Sequence, residues 1–269
     1  MAFRLGGSSI GIGGGYGLRL ALERAQAGVG DSLEKLATGK RINRASDDPS
    51  GLVAAETLKV NRTKLDRTIR GFERESSFLG AKDGALSALG DLVLELEGIV
   101  VSAANTGGLS EAEQEGLAVE ADSLLVAIDH VARVSVFNDQ DLLRGYATTD
   151  LGSDEGRLSE LRDALRTGEF ERAQSIVEGA SERIVGERGR IGGRLIGLEA
   201  ERNAAMEAFE NVSGAISLIE DTDIAAEVSS LVRAQILEEA SVKTIQIERE
   251  QAEGVLKLLD GAMALSRSA

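Results

Sequence analysis

The sequence predicts an all-α chain, an elongated antiparallel coiled-coil or helical-bundle rod whose N- and C-terminal helices pair, with one small irregular or β-hairpin excursion at mid-chain. Three observations predict it. Apolar residues recur every seventh position over two long stretches, which marks helices packed lengthwise against other helices. Of 269 residues one is proline and 3% are aromatic, so burial has to come from many Leu, Ile, Val and Ala contacts rather than from large rings. Residues 1–46 carry a net charge of +4 and residues 221–269 a net of −4, within a chain of −15, so the two ends are expected to meet.

The elements follow in order. After a glycine-rich start, Leu18, Leu22, Ala25, Val29 and Leu36 form a narrow helical stripe, interrupted where Leu33 stands beside the expected Ser32. Thr38 to Pro49 (TGKRINRASDDP) reads as an extended linker. Asp48 is the N-cap of the next helix and Pro49 its first residue, where a missing N–H costs nothing. From there a heptad runs through Leu58, Leu65, Phe72, Leu79, Leu86, Val93 and Val100. A helix from about 50 to 105 is roughly 80 Å long at 1.5 Å per residue. A compact globule of this chain length is only about 50 Å across, hence the expected rod. Asn105 to Leu109 (NTGGL) stops that helix, and Ser110 with Glu113 forms a capping box for the next, whose buried stripe is Leu117, Ala121, Leu124, Ile128 and Val131.

Residues 137–155 lose the helical period and gain turn formers, so they read as the excursion. The heptad resumes at Phe170, Val177, Ile184, Ile191, Leu198, Ala205, Val212 and Ile219. Six glycines between Gly179 and Gly197 sit inside this helix, which implies close approach by a neighbour or flexibility. A last helix is expected from about Asp223 to Asp260, with Ile224, Val228, Leu231, Val242, Ile245, Ala252, Leu256 and Leu259 on its apolar face. The expected organisation is an N-terminal helix and linker (1–46), the first half of the rod (47–143), a short loop (144–157), the second half of the rod (158–220) and the C-terminal helix (221–269).

Composition excludes much chemistry. Without cysteine there is no disulfide, thiolate metal site or cysteine nucleophile, and one histidine, His130, excludes paired-imidazole zinc chemistry. Gly7-Ser8-Ser9-Ile10-Gly11 matches the nucleophile-elbow pattern but has no strand before it, and a flexible tail is the expected reading. The carboxylates Asp47, Asp48, Glu220, Asp221 and Asp223 read as helix-start groups that accept orphan N–H bonds. No catalytic residue, cofactor or metal ligand is expected. The acidic balance argues against nucleic acid, and no apolar run reaches membrane-spanning length.

Leu33 to Leu52 (LEKLATGKRINRASDDPSGL) resembles the N-terminal segment of bacterial flagellins. The likeness continues through Gly84-Ala85-Leu86, Ser102-Ala103-Ala104-Asn105, Ile128-Asp129 and Phe137-Asn138. Ile219 to Glu227 (IEDTDIAAE), Arg233 to Leu237 (RAQIL) and Val255 to Leu259 (VLKLL) resemble the C-terminal signature of the same family. The resemblance implies a short subunit lacking the inserted outer domains, with the loop at mid-chain in their place. It implies a secreted protein of the bacterial flagellar filament, with the paired end helices as inner tube. Its expected partners are further copies of itself, hook-associated and cap proteins, and a flagellar export chaperone. The residues it implies for assembly are Arg41, Ile42, Asn43, Arg44, Asp47, Asp48, Asp221, Asp223, Arg233, Gln235 and Leu237.

The family resemblance also leads to expectations for modification and recognition. Some flagellins are sensed by an innate immune receptor through an arginine on the long helix. Glu95 stands at the position that corresponds, and Glu120 matches a contributing glutamate, so weak recognition is expected. Thr148 and Thr149, in the exposed excursion, are the expected sites of any O-linked modification. The ASDDP form of the linker is shared with the hook–filament junction protein, the alternative reading, whereas RAQIL and VLKLL favour filament flagellin. The apolar stripes of both ends are expected to remain disordered until assembly covers them.

Overall fold

The computed structural model describes residues 13–105, 110–153 and 156–267. The described chain is all-α apart from two short hairpins: α1 (Gly13–Thr38), α2 (Pro49–Ala104), α3 (Glu111–Val134), β1 (Val136–Phe137), β2 (Gln140–Asp141), β3 (Gly152–Ser153), β4 (Gly156–Arg157), α4 (Leu161–Thr167), α5 (Phe170–Glu220) and α6 (Ile224–Arg267). Contacts divide it into two compact units. One comprises the two ends of the chain, up to Arg62 and from Glu210, and the other comprises Thr63–Phe209.

The helix boundaries have local causes. The Gly51 N–H donates to Asp48 Oδ1 at 2.9 Å, so Asp48 caps α2 and Pro49 opens it. Ser110 and Glu113 close a capping box on α3. Asp223 Oδ1 accepts the Ala225 and Ala226 N–H groups at 2.9 and 3.1 Å and starts α6. The expected tail at 6–12 lies outside the described residues, but Gly13 to Gly17 already belong to α1. The stop at 106–109 lies outside them too.

In the unit of Thr63–Phe209, α2 supplies Leu86, Leu89, Val93 and Leu96 to the core, α5 supplies Ile176, Ile184 and Ile191, and α3 supplies Ala121, Leu125 and Ile128. The α3 stripe is rotated from expectation. Ala118 and Leu125 are buried, while Leu117, Leu124 and Val131 are half-buried, because α3 meets the core over a wide face instead of a single seam. Sequence reasoning also missed α4. Leu158, Leu161, Ala164 and Leu165 are buried in the same core, and Gly168, at φ 76°, ends the helix before Phe170 restarts it as α5.

The excursion is therefore no exposed loop. Leu142, Leu143, Tyr146 and Leu151 are core residues. The β1–β2 hairpin turns through Asn138 and Asp139, both at positive φ, as a two-residue hairpin favours. Phe137 on β1 packs edge-on against Phe78 of α2 with ring centroids 5.9 Å apart. Asp129 of α3 accepts from the Thr148 N–H at 2.9 Å and from Thr148 Oγ1 at 3.0 Å. Thr148 is buried, which corrects its reading as an accessible modification site, while Thr149 beside it is exposed.

The glycines of α5 divide into two kinds. A Cβ on Gly179 would lie 2.7 Å from Ser153 Cβ and 2.9 Å from its Cα, so the β3 backbone presses on the helix there. At Gly186, Gly189, Gly192, Gly193 and Gly197 an added Cβ meets nothing within 4 Å. Close packing within the subunit accounts for the first and for none of the other five.

Candidate assembly interface

The unit built from both chain ends starts with α1 packed antiparallel on α6: Gly28 faces Ala234, with 3.6 Å between an added Cβ and the Ala234 methyl, and Gln26 Nε2 donates to Glu238 at 3.2 Å. The α1 stripe is the expected one. Ala25 and Ser32 are buried and Leu33 is exposed, so the helix keeps its register through the interruption and places a small hydroxyl where a leucine would protrude.

The linker after α1 closes on the break between α5 and α6. Arg41 N–H donates to the Glu220 carbonyl at 2.6 Å, Thr222 N–H to the Gly39 carbonyl at 3.0 Å, and Lys40 pairs with Asp221 as an isolated antiparallel bridge. Arg41 Nη2 reaches the Ile219 carbonyl at 2.7 Å, one of the last carbonyls of α5 and without a helical partner. Arg44 grips Glu34 of α1 with Nη2 at 2.6 Å and Nε at 3.3 Å. Asp47 Oδ2 accepts the Asn43 and Arg44 N–H groups at 2.9 and 2.8 Å, and these backbone bonds hold its carboxyl below the ordinary range. Asp48 is lowered in the same way, first by the Gly51 N–H and then by the Ser50 hydroxyl. Asn43 Nδ2 donates to the Lys40 carbonyl at 3.0 Å. Ile42 lies beneath this linker, 4% exposed, its Cδ1 2.8 Å from where a Cβ on Gly51 would stand.

One expectation changes here, while Ile42, implied for assembly, is buried within the subunit. Glu220 is no helix-start group: it is the last residue of α5, buried, and takes both Lys59 of α2 and Lys40, the latter at 3.5 Å. Asp221 accepts the Ser217 hydroxyl, and Asp223 caps α6.

α6 departs furthest from expectation. Ile224, Val228, Val242 and Leu256, expected on its buried face, are exposed, as are Val232, Ile236, Leu237, Ile247, Val255 and Leu258. One helix partner covers one side of a helix that is apolar on several. Arg233, Gln235 and Leu237 are all on the uncovered side, with Arg233 Nε turned back onto the Ser229 carbonyl at 3.2 Å. This unit thus presents many exposed apolar side chains on α6, interleaved with exposed charged and polar ones such as Arg233, Gln235, Glu239, Lys243 and Glu250, beside a hydrogen-bonded linker. Among the described residues no group of three or more His, Asp or Glu is placed to hold a metal, and no helix is long and apolar enough to cross a membrane.

Residues 17–148 match the bacterial flagellin N-terminal helical region. A flagellin of Halalkalibacterium halodurans is 29% identical over 247 residues, covering 85% of this chain and 90% of its own length. The flagellar filament 30.7 kDa core protein of Treponema maltophilum is 26% identical over 265 residues, 86% of this chain and 92% of its own. A flagellin of Bacillus subtilis is 25% identical, over 85% of this chain and 91% of its own. The chain belongs to the flagellin family. The flagellin match takes in the linker, α2 and α3, and so the groups just described from Arg41 to Asp48. Glu95 and Glu120, expected from the resemblance to correspond to receptor-sensed positions, are exposed on α2 and α3.

Proposed function

We propose that this chain is the structural subunit of a bacterial flagellar filament for swimming motility, and that its copies join through the apolar surface its paired end helices leave open. The observation that carries the reading is α6. Leu237 and Ile236 are each 60% exposed in the single subunit, beside Val232, Leu256 and Leu258. Exposed apolar surface of this extent marks an interaction face. Copies related by a repeated, non-closing contact give an open filament. The filament names of the relatives support the same reading.

The linker groups Arg41, Asn43, Arg44, Asp47 and Asp48 hold α1 and α2 in register so that this surface is presented in one orientation. The role is mechanical and involves no catalysis. The subunit leaves the cell unfolded, brought to the export channel by a chaperone that covers the C-terminal helix, and meets hook-associated and cap proteins at the filament ends. The absence of cysteine and the single proline suit that route, because refolding outside then waits on no disulfide and on few isomerisation steps. Electron microscopy of purified subunit added to short filament seeds tests the reading. Long, thin filaments of uniform width are expected; protein that stays monomeric or precipitates without order would refute it.

A further inference from the structure

In the unit of Thr63–Phe209 nearly every Lys and Arg side chain holds a carboxylate or a carbonyl of the subunit. Among the described residues of that unit the exceptions are Lys64, Arg67, Arg74 and Arg144. Three of the four lie on one stretch of α2, and all three are exposed. At 100° per residue, Arg67 and Arg74 fall on the side of α2 opposite the half-buried Leu65 and Phe72, with Lys64 one turn earlier. The three cations span about 15 Å along the helix.

The carboxylates of this stretch are already taken: Asp66 by Arg70 at 2.7 Å, Glu73 by Arg202 at 3.6 Å and Glu75 by Arg194 at 2.8 Å. Each has its own arginine, so Lys64, Arg67 and Arg74 remain in excess. On α5, exposed Glu199 lines a groove that meets α2 at Phe72, Glu73, Ser76 and Ser77, on the other flank. Glu207 stands two residues past buried Ala205 and so points away from α2. The whole chain carries a charge of −15. Charges further than about 10 Å are screened at 0.1 M salt, however, so a ligand on this face meets the local excess of cations.

The surroundings of the three cations select the kind of ligand. Between Val60 and Leu94 the described side chains of α2 include no exposed large apolar one. A folded protein partner is held by an apolar interface core with aromatic anchors, and this face supplies none. Nucleic acid asks for rings on which bases stack, and Phe72 lies on the opposite side. What the face offers is a row of charges for a flexible line of anions, and guanidinium groups match the paired oxygens of sulfate and phosphate.

We propose that this face of α2 binds a linear polysaccharide carrying sulfate or phosphate ester groups. Such polymers are met outside cells, so the role rests on the exported filament subunit proposed above.

Fluorescein-labelled dextran sulfate and dextran phosphate are titrated with the monomer between about 50 and 200 mM NaCl, beside neutral dextran and single-stranded DNA. Binding to the charged dextrans is expected, with log K falling against log salt at a slope of about −2, the value for three cations on a flexible polymer. Binding to one dextran and not the other identifies the ester. The triple variant Lys64→Gln, Arg67→Gln, Arg74→Gln is expected to bind at least about tenfold more weakly, and Arg144→Gln within about twofold of the parent. The replaced side chains are exposed, so the variants keep their helices, which circular dichroism checks. No binding by the parent, a triple variant that binds like it, or tighter binding of DNA overturns the assignment. Filaments grown on seeds are then sedimented with the same dextrans, which are expected in the pellet. A dextran that stays in solution although the monomer binds it shows the face covered by other copies and overturns a role on the filament. If the parent forms no filaments, the filament reading fails, while the monomer titration still decides whether the face binds the esters.

Discussion

Lys59 of α2 donates to the carboxylate of Glu220, the last residue of α5, whose side chain is 4% exposed. The pair ties the start of one long helix to the end of the other, at the place where the linker and the α5–α6 break also meet. Burial works against the ionised carboxylate, but the Lys59 hydrogen bond and the charges of Lys59 and Lys40 outweigh it, and Glu220 is held below its ordinary 4.5. Lys59 is raised above its ordinary 10.5, first by the bond to Glu220 and then by Glu56.

The pair makes a pH prediction. The contribution of Glu220 is complete above about pH 4.5 and is lost as pH falls through its lower value in the folded chain; that of Lys59 is complete below about pH 10.5 and is lost as pH rises through its raised value. Glu220→Gln is expected to flatten the acid side of the stability profile. Glu220→Ala, which strands the ammonium, costs about 2 kcal/mol at neutral pH, less than a fully buried pair because Lys59 keeps some contact with water. Thermal unfolding of the three proteins across pH measures both effects. An unchanged acid limb in Glu220→Gln would show that the pair contributes nothing.

Ile42 and Leu237 separate folding from assembly. Leu237 is exposed, so Leu237→Glu is expected to leave the subunit's unfolding within about 0.5 kcal/mol of the parent and to abolish filaments in the seeded assay. Ile42 is buried against the start of α2, so Ile42→Glu lowers stability by about 3 kcal/mol as well as blocking assembly. Calorimetry beside electron microscopy distinguishes the two. A Leu237→Glu protein that still builds normal filaments removes α6 from the interface.

These residues also show where sequence reasoning carries and where it stops. A heptad is legible when a helix has one buried seam, and the positions from Leu58 to Val100 and from Phe170 to Ile219 are all buried or half-buried as their spacing predicts. Asp48, Pro49, Ser110 and Glu113 were legible because caps are local chemistry. α6 was not, because a helix apolar on several sides has no single phase, and the partner that selects one side, α1, lies more than two hundred residues away in the chain. The excursion was misread for a related reason. Turn residues report local conformation, whereas the burial of Leu143, Leu151 and Thr148 is decided by α3 and α5. Glu220 was grouped with its acidic neighbours, since nothing nearby in the chain announces Lys59.

Both ends read as disordered before assembly, while the structure describes 13–38 and 224–267 as helices, with α1 and α6 paired. The pair buries little: Ala25 and Ser32 are buried on α1, while most described α6 side chains remain exposed. Local opening should therefore be frequent. Limited proteolysis of the monomer is expected to trim roughly the first and last forty residues and to stop at the linker, where Arg41, Arg44, Asp47 and Asp48 are hydrogen-bonded. Polymerised protein should resist. Equal resistance of both ends in the monomer would contradict this.

Thr148 and Thr149 give opposite expectations. If the chain carries O-linked sugar in the excursion, peptide mass mapping should place it on exposed Thr149 and never on Thr148, whose hydroxyl is held by Asp129 at 3.0 Å. Thr148→Val removes that bond and leaves part of the Asp129 carboxylate unsatisfied, at a cost of about 1–2 kcal/mol. A wild-type melting temperature in Thr148→Val would show that solvent serves Asp129 equally well.

The glycines of α5 allow the sharpest comparison, because identical substitutions in one helix should have opposite signs. Gly179→Ala puts a methyl 2.7 Å from Ser153 Cβ and 2.9 Å from its Cα. Backbone cannot yield as a flexible side chain does, so β3 must move and stability is expected to fall by about 1–3 kcal/mol. Gly186→Ala and Gly193→Ala meet open space, so each should raise the stability of the monomer by up to about 1 kcal/mol through helix propensity and a more restricted unfolded chain. Urea unfolding of the three monomers measures the signs. A Gly179→Ala protein as stable as the parent would show that β3 yields without cost.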